Sequence, residues 1–171
     1  MELVDISKRP DRDAILFVIL KFFTIVVTLI VIMWKPTWLF PIIAINVVQA
    51  VIFAFWKRMW ESLLLGIIVF TMVIIFIKYP PSSLQADILV FLYVIWNIHF
   101  TKVGAQVNGY VSSAAMNMVP ALVYILYRLN NQTSSPTDAI WIFIFARCII
   151  MIFASIHMLD PASCHDFIRV K

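Results

Sequence analysis

The sequence predicts an all-α fold, a polytopic transmembrane helical bundle of six helices forming one integral membrane domain, on two observations. Of its 171 residues 63% are hydrophobic and only 13% charged, where soluble domains carry about 45–50% and about 25%, and the mean hydropathy is +0.98. The apolar residues are also gathered into stretches close to the ~20 residues a helix needs to cross the hydrocarbon core. Lipid is the expected solvent for most of the chain. No low-complexity tract and no linker of domain-separating length interrupts it, so residues 1–171 read as a single unit.

The spans follow in order. The first covers 14–34; it is long enough to cross and has no small-residue cleavage site, so it reads as an uncleaved helix rather than a signal peptide. The second, 37–56, is entered through Lys35-Pro36 and left through Lys57-Arg58. The third, 62–79, stops at Pro80-Pro81, because tandem prolines remove backbone donors and clash with a continuing helix. The fourth covers 87–104, and the crowding of Asn97, His99, Thr101 and Lys102 in one half leaves a re-entrant segment as the alternative. The fifth covers 110–128, and the sixth covers 138–159, closed by Asp160-Pro161.

Charge sets the expected orientation. With a cytoplasmic amino terminus, the inner segments hold Lys8, Arg9, Arg12, Lys57, Arg58, Lys102, Arg169 and Lys171, against Lys35, Lys78 and Arg128 outside. That bias places both termini in the cytoplasm, in a plasma membrane or bacterial inner membrane. Trp34 and Trp38 at one boundary and Trp56 and Trp60 at the other match the preference of amphipathic rings for headgroup depth. The net charge of +4 is small and scattered, which points to membrane orientation and away from nucleic acid.

Polar side chains at membrane depth are costly and mark functional sites. Asn46, Asn97, Asn117 and Arg147 fall near the middles of the second, fourth, fifth and sixth spans, with Lys21 about one turn from the middle of the first. Lys21, Thr24 and Thr28 share one helical face, as do Asn46 and Gln49. Tyr110, Ser113, Asn117 and Tyr124 form a further stripe, beside Pro120. The third span shows only Thr71 and is expected to face lipid. Trp96 and His99 share one face of the fourth span while Asn97 and Thr101 lie nearly opposite, which predicts a central helix buried on two sides.

The bland account of these residues is interhelical hydrogen bonding, worth about 0.6 to 2 kcal/mol per contact, with Lys21 reaching toward the interface. Arg147 asks for more. Asp13 and Glu61 stand at inner span ends and Asp87 and Asp138 at outer ones, so no carboxylate lies inside a span. The guanidinium must then use amide oxygens, backbone carbonyls, water, a bound anion or a carboxylate of another subunit, and the same absence argues against a proton pump built on carboxylate relays.

No metal or cofactor is expected. His99 and His157 fall at different depths, Cys164-His165-Asp166 is too short a cluster to hold a metal alone, and no phosphate loop, nucleophile elbow or redox CxxC occurs. Cys148 and Cys164 do not suggest a disulfide, and Asn131-Gln132-Thr133 matches the glycosylation sequon. Asp13-Ala-Ile-Leu-Phe resembles Asp87-Ile-Leu-Val-Phe, a weak sign of a 3+3 inverted repeat such as many transporters have. In size and helix number the chain is similar to substrate-binding subunits of energy-coupling-factor transporters, although its first helix lacks their stripe of small docking residues.

The expected function is therefore a small transporter or solute-binding membrane subunit. Its small polar or anionic ligand would meet Arg147, Asn117, Asn97, Asn46, Gln49 and Lys21. The alternative is a non-catalytic structural or accessory subunit of a larger membrane complex, with Arg147 or Lys21 meeting a partner subunit's carboxylate. Nothing in the sequence identifies a catalytic residue.

Overall fold

The computed structural model describes residues 12–108 and 110–158, and among them the chain is all-helical, with no strand. The helices are α1 (Arg12–Trp34), α2 (Leu39–Trp56), α3 (Trp60–Lys78), α4 (Ser83–Asn108), α5 (Tyr110–Asn130) and α6 (Pro136–Met158), with a single 3-10 turn, Pro36–Trp38, leading into α2. Among the described residues three stretches are long and apolar enough to cross a membrane: Pro36–Trp56, Trp60–Lys78 and Pro136–Phe153. Ile19–Trp34 and Ser83–Ile98 are shorter apolar helices.

Local chemistry explains the boundaries. Pro36 opens the turn before α2, where its missing N–H costs nothing. At the far end of α2, Met59 N–H bonds the Ala54 carbonyl (2.9 Å) and Arg58 N–H bonds that of Phe55 (3.1 Å), with Arg58 in the left-handed region at φ 54°. This paired closure satisfies the last carbonyls of α2 and turns the chain straight into α3. The fourth helix starts earlier than the expected residue 87. Ser82 and Gln85 form a reciprocal box, Ser82 N–H to Gln85 Oε1 (2.9 Å) and Gln85 N–H to Ser82 Oγ (3.4 Å), which nucleates the helix directly after Pro80-Pro81. It also runs past the expected residue 104 without a break. At 26 residues it is ~39 Å long at 1.5 Å per residue.

Successive helices run antiparallel and close a ring in chain order, with α6 returning against α1. Bonds near opposite helix ends fix the directions: Tyr124 and Arg128, late in α5, both meet Asp87, early in α4. The fourth helix also packs on α6 and α1, so it holds the central place expected of it. Large apolar side chains cover the outside, including Phe23, Phe55, Leu64 and Phe91, as befits a surface in contact with lipid. Trp34, Trp38, Trp56 and Trp60 are all exposed, at the two ends of the α2 region.

The third helix does more than face lipid. Ser62, Gly66, Val69, Val73 and Phe76 repeat at helical spacing and are buried against α2 and α4. Trp96 of α4 lies over this stripe, donating from Nε1 to the Ser62 carbonyl (2.7 Å) and to Ser62 Oγ (3.1 Å). Gly66 makes room for the ring: a Cβ there would stand 2.9 Å from Trp96 Cζ2 and 2.8 Å from Val51 Cγ2. Gly66→Ala is therefore expected to destabilise by about 1–3 kcal/mol through overpacking, despite alanine's better helix propensity. Thermal unfolding in detergent measures this, and an unchanged midpoint would show that the seam is looser than these distances.

Candidate functional site

The polar residues form two clusters that meet around one cavity. The first is a seam between α1 and α2. Asn46 Nδ2 donates to Thr28 Oγ1 (2.8 Å) and to the Ile42 carbonyl (2.9 Å), while Thr28 donates back to the Thr24 carbonyl (2.7 Å). Thr24 Oγ1 bridges the Leu20 carbonyl (2.8 Å) and Gln49 Oε1 (2.9 Å). Lys21 completes the seam by donating from Nζ to the Asn46 main-chain carbonyl at 2.7 Å. That carbonyl gives the ammonium an acceptor on α2.

The second cluster joins α4 and α6. Arg147 donates from Nη1 to the Tyr93 hydroxyl and from Nη2 to Asn97 Oδ1 (2.6 Å), and its guanidinium carbon lies 4.8 Å from the centre of the Tyr93 ring. Asn97 is oriented for this by its own bond from Nδ2 to the Tyr93 carbonyl (2.5 Å). The spacing of Tyr93 and Asn97 by one turn lets a single helix present an aromatic face, a hydroxyl and an amide oxygen to one arginine. Tyr93 is itself fixed edge-on between Trp96 and Phe143, with ring centroids 5.9 and 5.8 Å away. Among the described residues no carboxylate lies within ion-pair distance of Arg147.

Between the clusters is a cavity that offers ≈ 10 Å³ to a water-sized occupant, the room of about one water molecule. Thr28, Asn46, Tyr93, Arg147 and Cys148 supply its polar wall, and Ile25, Ile43 and Ile144 its apolar one.

No protein-family model, curated protein or solved structure matches this chain.

Of the residues singled out in the sequence, Asn46 and Arg147 both border the cavity, Asn97 grips Arg147, and Lys21 and Gln49 belong to the α1–α2 seam behind it. Asn117 is half-buried on α5 and does not line the cavity. The side chains of His99, Thr101, Lys102, Tyr110, Ser113 and His157, and the whole of Cys164-His165-Asp166, lie outside the described residues. Tyr93 was missed by sequence reasoning. Its signal was its place one turn before Asn97, but an aromatic residue in an apolar helix reads as packing until its partner is known.

A third polar group sits at the α4–α5 end. Tyr124 donates to Asp87 Oδ1 (2.5 Å) and Arg128 Nε lies 3.5 Å from the same oxygen. Asp87 is about half exposed there, so this group ties two helix ends together in contact with solvent.

Proposed function

We propose that the chain is a six-span membrane protein with both termini in the cytoplasm, and that it binds and carries a small solute bearing negative charge at the layer of Arg147 and Asn46. The observation that carries this is the setting of Arg147: among the described residues only neutral oxygens and an aromatic ring meet its charge, beside a cavity. An intramembrane arginine in such surroundings is offset best by an anion. The up-and-down order of the helices supports six crossings. The close pairing of α2 with α3 and of α5 with α6 supports related halves, although the α4–α6 contact has no strong α1–α3 counterpart.

The test is a screen of anionic solutes for stabilisation of the detergent-purified protein and for uptake into proteoliposomes, run on the natural chain and on Arg147→Ala. At least one anion is expected to stabilise and to be taken up, with at least tenfold loss in the variant. Equal behaviour of both proteins across the screen would remove the reading.

Arg147 is also partly exposed, which favours a second reading in which a carboxylate of a partner subunit reaches it and the chain is an accessory subunit. Mass measurement after gentle extraction separates the two, because a lone monomer excludes the partner. The topology has its own check. Single cysteines placed after Pro81 and after Ser134 should label from outside, while one at Asn108, where α4 ends, should label only from the cytoplasm. Outside labelling of all three would mean that α4 does not cross.

A further inference from the structure

Resting on that reading, we infer that the solute is a single monatomic anion, a halide of the chloride class, held in the cavity between α1, α2, α4 and α6. The argument starts from size. Room for about one water molecule accommodates a chloride or bromide ion after modest side-chain adjustment. Sulfate, phosphate or an organic carboxylate, each of which brings several heavy atoms, would need a much larger displacement of the wall.

The chemistry of the wall agrees with the size. A guanidinium has five N–H donors and no acceptor, and Arg147 directs two of them at Tyr93 and Asn97. Arg147 borders the cavity, so its charge stands beside a wall that holds no carboxylate. Ile25, Ile43 and Ile144 form the apolar part of the wall. Such a surface gives no compensation to a strongly hydrated ion, which must be stripped of water to enter. The geometry thus selects weakly hydrated over strongly hydrated ions of similar charge, with bromide and chloride ahead of fluoride.

The experiment uses the full chain in detergent at constant ionic strength, comparing sodium chloride, bromide, fluoride, sulfate and gluconate. Chloride and bromide should raise the unfolding midpoint saturably, by roughly 5 °C at a hundredfold excess over Kd. Sulfate and gluconate should not, and fluoride should lag. The increment should vanish in Arg147→Gln and return in part in Arg147→Lys. Should Arg147→Gln fail to fold, Cys148 serves as a reporter, because it borders the cavity and is buried. In a Cys164→Ser background with Arg147 intact, bromide should slow alkylation of Cys148 at least threefold relative to gluconate.

Equal stabilisation by every salt, persistence of the chloride increment in Arg147→Gln, or no protection of Cys148 by bromide would overturn the halide assignment. A saturable, Arg147-dependent response to sulfate or to a carboxylate, without one to halides, would overturn it while leaving the anion-binding reading in place. No Arg147-dependent response to any anion would remove both.

Discussion

Trp96→Ala is expected to lower the stability of the protein by about 3 kcal/mol, at the lower end of the 3–5 kcal/mol found for large aromatic truncations in soluble cores. Trp96 is only 2% exposed. Its ring packs edge-on against Tyr93 and Phe100, at 5.9 and 5.6 Å, and covers Gly66. The lower end applies because lipid is as apolar as the interior, so the transfer term fades and lost van der Waals packing dominates. Ser62 Oγ also loses its indole donor. Trp96→Phe separates the two effects: it keeps most of the packing, loses the hydrogen bond, and should cost about 1 kcal/mol. Denaturant titration in mixed micelles measures both. If the phenylalanine variant were as damaged as the alanine one, the hydrogen bond rather than the ring would hold α3 to α4.

The same truncation should reach the arginine site. Tyr93 leans on Trp96 and accepts from Arg147, so freeing its ring loosens the wall that positions the guanidinium. The third and fourth helices thus support a site to which α3 contributes no cavity-lining side chain.

How much of this was legible in the sequence depends on which physical rule governed each feature. Helix class and approximate ends were readable because hydropathy, Pro80-Pro81 and Lys57-Arg58 act locally. The start of α4 was not, because Ser82-x-x-Gln85 carries no hydropathy signal and only its reciprocal bonds identify it as a cap. The α1–α2 seam was half readable: the spacing of Lys21, Thr24 and Thr28 put them on one face, and that of Asn46 and Gln49 did the same. Which hydroxyl meets which amide depends on register between helices, which spacing within a helix does not fix.

The α3 stripe was hidden for a different reason. Gly66, Val69 and Val73 carry no polar signal, and in lipid an apolar residue packed on a helix looks like one facing a tail. The cavity was not legible at all, since it arises from four helices and from side chains as ordinary as Ile25 and Ile144. Arg147 stood out because its charge is expensive anywhere at that depth. Sequence alone left amide oxygens, water, an anion and a partner's carboxylate all open, and the structure adds that Asn97 provides one amide oxygen.

The coupling between Arg147 and Asn97 yields the second large expected effect. Asn97→Leu keeps the volume but takes away the oxygen that accepts from Nη2 at 2.6 Å, leaving a charged group short of an acceptor away from water. A hydrogen bond to a charged group is worth about 1.5–3 kcal/mol, and the variant should lose an amount in that range. Arg147→Met should be far milder, because it discards the charge along with the bond and lifts the desolvation cost of the guanidinium, as when hydrophobic residues replace buried ions. The double variant should then sit close to Arg147→Met alone, since the missing amide oxygen no longer has a charge to serve. Unfolding free energies for the four proteins give the coupling directly, with about 2 kcal/mol of non-additivity expected between residues joined in this way. Strict additivity would mean that Arg147 draws its compensation from elsewhere, and the place of Asn97 in the site would have to be given up.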